Sequence, residues 1–178
     1  MPPNYGADHR LLKGEAMGEN LLDYKRILIV DDEPDVLDAL EDLLPTSEVV
    51  RATNFSEAKT LLEREYFDLA VLDIMGVDGY ALLEIAKNKD VIPVMLTAHA
   101  LSPEDARKSF EEGAASYIPK ERLPDISVYL NEILDVVQKG KSTWSQWFER
   151  FGSYMDRKFG PDWKNKDEQF WSRFGFWE

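Results

Sequence analysis

The chain has 178 residues, no cysteine and a net charge of −13. That length allows one good core plus an appendage, the missing cysteines exclude a disulfide framework or a thiolate metal site, and the acidic excess argues against direct binding to nucleic acid. No apolar run approaches the roughly 20 residues that span a bilayer, and the N-terminus lacks the basic and apolar regions of a signal peptide, so a soluble cytoplasmic protein is expected.

Residues 1–24 are polar and without clear periodicity; they read as a partly disordered leader, with Met17 a candidate start. From Lys25 to Gln138 apolar runs alternate with amphipathic segments. The first run, "ILIVD" (27–31), precedes a helical stripe of Val36, Leu37, Leu40, Leu43 and Leu44. The second, "EVVRA" (48–52), precedes a stripe of Ala58, Leu61, Leu62 and Tyr66. "LAVLD" (69–73) is followed by a weaker pattern around Leu82, Leu83 and Ile85. "IPVMLT" (92–97) leads to the best helix start: Ser102 as N-cap, Pro103 at N1, acids at 104 and 105, and Gly113 as a stop. "SYIP" (116–119) leads to a fifth helix marked by Leu130, Ile133, Leu134 and Val137 and ending near Gly140.

Nearly continuous apolar runs are the mark of parallel strands covered on both faces. Five strand–helix repeats over residues 25–140 predict an α/β domain, a doubly wound five-stranded parallel sheet flanked by five helices. Ligands in such sheets bind at the carboxyl ends of the strands. There the sequence places Asp31-Asp32-Glu33, Asp73, Thr97-Ala98 and Lys120. Each alone has a plain explanation: an acid pair before Pro34 suits a turn, and an acid after a strand is usually solvated. Together, gathered carboxylates repel and raise one another's pKa unless a cation sits among them, and a hard divalent ion with oxygen ligands meets that need.

"ILIVDDEPDV", "LAVLDIMGVDGY", "MLTAHA" and "GAASYIPK" resemble, in order and spacing, the receiver domain of two-component response regulators. The resemblance covers roughly residues 25–139 and implies the strand order 2-1-3-4-5. It also implies that a sensor histidine kinase or phosphotransfer protein phosphorylates Asp73. By the same resemblance Asp31, Asp32, Asp73 and the backbone carbonyl of Met75 would hold Mg²⁺ or Mn²⁺. Thr97 would bond a phosphoryl oxygen, Lys120 would pair with it, Ala98 would leave the donor's path open, and Tyr117 would be the aromatic switch. His99 would lie near the mouth of this site.

Two features depart from the family. The family reads Asp-x-x-x-Pro-x-x-[Asp/Ser]-Gly after the phosphoacceptor, whereas "DIMGVDG" lacks the proline and is two residues shorter, with Gly76 available for the tighter turn. The family's Lys-Pro is Lys120-Glu121 here, for which a trans peptide is expected. Three alternatives stand beside this resemblance. One is a degenerate receiver that signals by interaction or dimerisation without phosphorylation. Another is a Mg-dependent phosphatase with an Asp nucleophile, disfavoured because "DDEPD" does not supply Asp-x-Asp-x-Thr. The third is a flavodoxin-like cofactor carrier, disfavoured because no hydroxyl- and Gly-rich phosphate loop follows the first strand.

Residues 141–178 change character. They carry seven basic and six acidic side chains, against 14 and 28 in residues 1–140, and hold all five Trp and 12 of the 21 aromatics. Trp144, Trp147, Phe148, Phe151 and Met155 follow helical spacing, Gly160-Pro161 breaks it, and Phe170, Trp171 and Phe174 resume it. Two packed helices are expected, too short for a DNA-binding output domain and without a basic footprint. They either fold back on the first domain, self-associate into a homodimer, dock an unknown downstream protein, or, least of all, lie on a membrane surface.

Overall fold

The computed structural model describes residues 19–98 and 102–174. Its centre is a five-stranded parallel sheet in the order β2-β1-β3-β4-β5, built from β1 (Arg26–Val30), β2 (Glu48–Ala52), β3 (Leu69–Asp73), β4 (Ile92–Thr97) and β5 (Ser116–Pro119). The order and the α/β class are those expected from the sequence.

The period of two along each strand sorts the side chains into two cores. Leu28, Val30, Ala70, Leu72, Met95 and Tyr117 point to one face; Ile27, Ile29, Leu69, Val71, Val94, Leu96 and Ile118 point to the other. The first face is covered by α2 (Phe55–Arg64), α3 (Gly79–Asn88) and α4 (Pro103–Glu111), through Ala58, Leu62, Leu82, Leu83, Ala86 and Ala106. The second is covered by α1 (Pro34–Leu43) and α5 (Ile126–Gln138), through Leu37, Leu40, Ile126, Leu130 and Ile133.

Helix starts follow local chemistry. Asn54 caps α2 by accepting from the Glu57 amide at 2.9 Å, and Ser102 caps α4 by accepting from the Asp105 amide at 3.0 Å. A six-residue 3₁₀ segment, Lys120–Asp125, joins β5 to α5.

The first strand stops one residue earlier than expected, so Asp31 is the first residue beyond it. Part of the segment expected as a leader packs on the domain: Leu22 is 2% exposed within the second core, and the Leu21 amide donates to Asn131 Oδ1 at 2.8 Å. A lone Leu21-Leu22 pair among polar residues carries no periodicity, which hid this packing. Residues 1–18, with Met17, lie outside the described residues.

The aromatic tail forms a 17-residue helix, α6 (Thr143–Phe159), which stops at Gly160. The second expected helix is instead a 3₁₀ turn (Trp163–Asp167), the single turn α7 (Glu168–Trp171) and another 3₁₀ turn (Ser172–Phe174). The polar run from Lys164 to Glu168 has no apolar stripe that could carry a longer helix.

The tail lies against the β5 side of the sheet. Trp144 Nε1 donates to the Ala114 carbonyl and Trp147 Nε1 to the Tyr117 carbonyl, both at 2.7 Å and buried. Phe110 of α4 meets Trp144 and Phe170 edge-on, with ring centres 5.1 and 5.4 Å apart. Arg107 pairs with Asp167, and Arg150 with Glu132 of α5. Trp144, Trp147, Phe148, Phe151, Phe170 and Trp171 are all buried. Expected from the sequence as a partner-binding face, the six side chains are instead packed in one apolar core with the sheet, and the indoles of Trp144 and Trp147 also find main-chain acceptors at Ala114 and Tyr117. The side chain of Phe174 lies outside the described residues. Among the described residues no helix is long and apolar enough to cross a membrane.

Candidate acidic site at the strand ends

The parallel strands deliver their last residues, or the first beyond them, to one rim. Asp31 follows β1 and is fully buried; Asp73 closes β3 and is 3% exposed; Thr97 closes β4 and is buried; Lys120 follows β5 directly. Ala98 is exposed beside Thr97, and His99 lies outside the described residues.

Lys120 ties the acids together. Its Nζ lies 2.7 Å from Asp31 Oδ2, 2.9 Å from Glu33 Oε1 and 3.5 Å from Asp73 Oδ1. Asp31 Oδ1 accepts from the Glu33 amide at 2.9 Å, while the buried Oδ2 has Lys120 as its partner. Oxygens of Asp31, Asp32 and Glu33 lie within 4.8 Å of one another, and Asp73 joins them through Lys120.

The electrostatics follow the crowding. Burial first, then the charge of Asp31, push Asp73 up to about 6, with Lys120 opposing. Burial likewise raises Asp31 against the hydrogen bond from Lys120. Burial pulls the ammonium of Lys120 down, but hydrogen bonds to Asp31 and Glu33 and the charge of Asp73 outweigh it, and the net shift is upward. These residues fit a divalent cation: the donors are all hard oxygens, the carboxylates repel one another, and Lys120 is the one cation paired with buried Asp31 among the described residues.

The short loop after Asp73 turns on two glycines. Gly76 has φ of +84°, and a Cβ there would sit 2.6 Å from Asp32 Oδ2. At Gly79 a Cβ would lie 2.2 Å from the carbonyl oxygen of Asp73. Met75, just before Gly76, is 61% exposed. The Lys120–Glu121 peptide is trans. Tyr117, two residues before the end of β5, is fully buried.

The structure therefore brings Asp31, Asp32, Asp73, Thr97 and Lys120 to one rim, as expected. The sequence places Glu33 at this rim without a role, and Gly79 is not singled out there. The "DDE" and "DG" dipeptide contexts were visible, but the reach of Glu33 to Lys120, 87 positions away, depends on the β1–β5 geometry.

The model of the response regulator receiver domain matches residues 27–128, a span that ends within α5. The heme response regulator HssR of Staphylococcus aureus is 41% identical over 99 residues, covering 52% of this chain and 43% of the relative, so the shared part is less than half of that protein. A CheY-like receiver domain protein from Methanospirillum hungatei has 34% identity and a TM-score of 0.59, covering 66% of this chain and 99% of its own. A response regulator from Thermotoga maritima has 25% identity and a TM-score of 0.58 over 63% of this chain and 98% of its own.

Proposed function

The chain belongs to the response regulator receiver family, and from that premise we propose that it is a cytoplasmic phosphoacceptor that takes a phosphoryl group onto Asp73 from a histidine kinase or phosphotransfer protein. The observation that carries this reading is Lys120 Nζ held between Asp31 and Asp73 at the strand ends. A carboxylate is a weak nucleophile, and phosphoryl transfer asks mainly for positioning and charge neutralisation.

Asp73 Oδ attacks phosphorus in line with the leaving imidazole nitrogen of a phosphohistidine; the P–O bond forms as the P–N bond breaks, and the departing nitrogen takes a proton from solvent, since the attacking carboxylate carries none. Attack needs the carboxylate form, which a buried Asp at about 6 holds at neutral pH. Lys120 leaves Glu33 and Asp31 to pair with the phosphoryl oxygens, and the Thr97 hydroxyl donates to one of them. Asp31, Asp32, Asp73 and the Met75 carbonyl would hold Mg²⁺ or Mn²⁺, which when bound neutralises the phosphoryl oxygens. Ala98, small and exposed, keeps the approach open. The chemistry stays on the protein's own Asp73, and the output is a change in protein–protein contacts.

A second reading, a receiver that works without phosphorylation, is favoured by one observation: Glu33 competes for Lys120 at 2.9 Å beside a shortened loop. Acetyl phosphate with Mg²⁺ separates the two. Phosphorylation predicts a hydroxylamine-sensitive phosphoryl group that disappears in Asp73→Asn. No labelling of the unaltered chain would favour the second reading, and undiminished labelling of Asp73→Asn would put the acceptor elsewhere.

A further inference from the structure

Tyr117 joins the tail to the acidic site. Its ring is fully buried in the core that also holds Trp144, Trp147 and Phe151. No group among the described residues meets strict hydrogen-bond geometry with its oxygen. Burial raises its pKa, and the Thr97 hydroxyl and the Ser102 backbone lie near enough to oppose that rise. Its main-chain carbonyl accepts the indole N–H of Trp147. One residue therefore faces Thr97 with its side chain and grips the tail with its backbone.

The tail fixes the frame around Tyr117 from three directions. Trp144 holds the Ala114 carbonyl two residues before β5, Asp167 and Phe170 hold Arg107 and Phe110 of α4, and Phe151 packs against Tyr129 of α5 with ring centres 5.5 Å apart. Trp144, Trp147 and Phe151 lie ring against ring, at 5.1 and 5.7 Å, along the outer side of β5. The Tyr117 ring is buried in the same core as those rings and sits next to Thr97.

We propose that the docked tail regulates the Asp73 site by holding Tyr117 in its buried position, and that loading of the site in turn tightens the tail. This rests on the assignment of Asp73 as phosphoacceptor. A phosphoryl group that draws Thr97 toward Asp73 needs a neighbour to fill the space behind it, and the clamped Tyr117 is that neighbour. The coupling is a free energy shared by the two sites, so it acts equally in both directions. The tail is then a resident ligand of the β5 edge that favours the loaded state, and the surface it covers is closed when the site is loaded.

The test uses the full chain with Mg²⁺ and beryllofluoride, a phosphoryl mimic. Hydrogen exchange at the indole N–H groups of Trp144 and Trp147 is followed by NMR, and beryllofluoride affinity is compared with that of Trp147→Phe, which keeps a ring and loses the donor. Loading should slow both indole exchanges, and Trp147→Phe should weaken beryllofluoride binding, each by about fivefold, the low end of usual coupling between sites. Binding with unchanged indole exchange would overturn the linkage and leave the Asp73 assignment standing. Faster exchange on loading would overturn it in favour of tail release. If beryllofluoride does not bind the unaltered chain, the assignment falls and the linkage with it. The exchange measurement needs no variant, so it decides the matter even if Trp147→Phe fails to fold.

Discussion

The sheet has two edges, and they are protected in different ways. At β2 the strand is largely half-exposed and framed by solvated charges: Arg51 reaches Asp38 at 2.7 Å and Glu41 at 3.1 Å, and Arg26 reaches Glu48 at 3.0 Å. At β5 all four residues are buried, and two indoles take carbonyls on that side of the sheet. Both devices deter pairing with a second chain. Only the second binds the edge into the core, and it does so beside the acidic rim.

The largest effect should come from Trp147→Ala. It removes a buried ring that touches Trp144, Phe148 and Phe151 and strands the Tyr117 carbonyl. A loss of about 3–5 kcal/mol is expected, as for other deletions of large buried aromatics. Urea unfolding followed by circular dichroism measures it. A loss below about 1 kcal/mol would mean that the tail is an accessory to the β5 edge and not part of its core.

How much of this was legible differs between the two regions for a physical reason. A parallel strand buried on both faces announces itself as an apolar run, so β1, β3 and β4 stood out, and the residues that follow them had to meet at one rim. Asp31, Asp73 and Thr97 were placed that way, and Lys120 by the short run "SYIP" before it. The third helix was faint, and its first residue explains part of that: position 79 takes glycine, a poor helix former, because the Asp73 carbonyl leaves no space for a Cβ. The tail was legible in composition but not in placement. Trp144 and Trp147 are three residues apart, and so are their acceptors at 114 and 117, but that match appears only when a helix is laid along an edge strand. Helical spacing alone states that a face is apolar, not what it covers.

The two sides also differ in what they titrate. Arg26 is raised by Glu65 and Glu48, and Arg51 by Asp38 and Glu41, so the β2 edge keeps its cations. On the other side Asp73 is pushed up to about 6 from 3.8. Between those values the folded chain binds more protons than the unfolded one, so stability falls as pH rises through the window and the loss is complete above it. With a chelator present, the loss between about pH 4 and pH 7 should be on the order of 2 kcal/mol for this group, and Asp73→Asn should remove that part of the slope. Urea midpoints across the range read it. A slope unchanged in Asp73→Asn would assign the titration to another group, Asp31 being the next raised carboxyl.

The smallest effect should come from Arg51→Ala. Asp38 and Glu41 are themselves at least half-exposed, so each loses its partner to water and not to a cavity. Pairs of that kind contribute little, because the ions are hydrated in both states and salt screens what remains. The urea midpoint should not move beyond measurement error. Beryllofluoride affinity should not move either, since Arg51 lies on the far edge from Lys120 and touches neither Thr97 nor Tyr117. That second result sharpens the contrast most: if Arg51→Ala weakened the ligand as much as Trp147→Phe, the coupling would run through the whole sheet, and the tail would hold no special claim on the site.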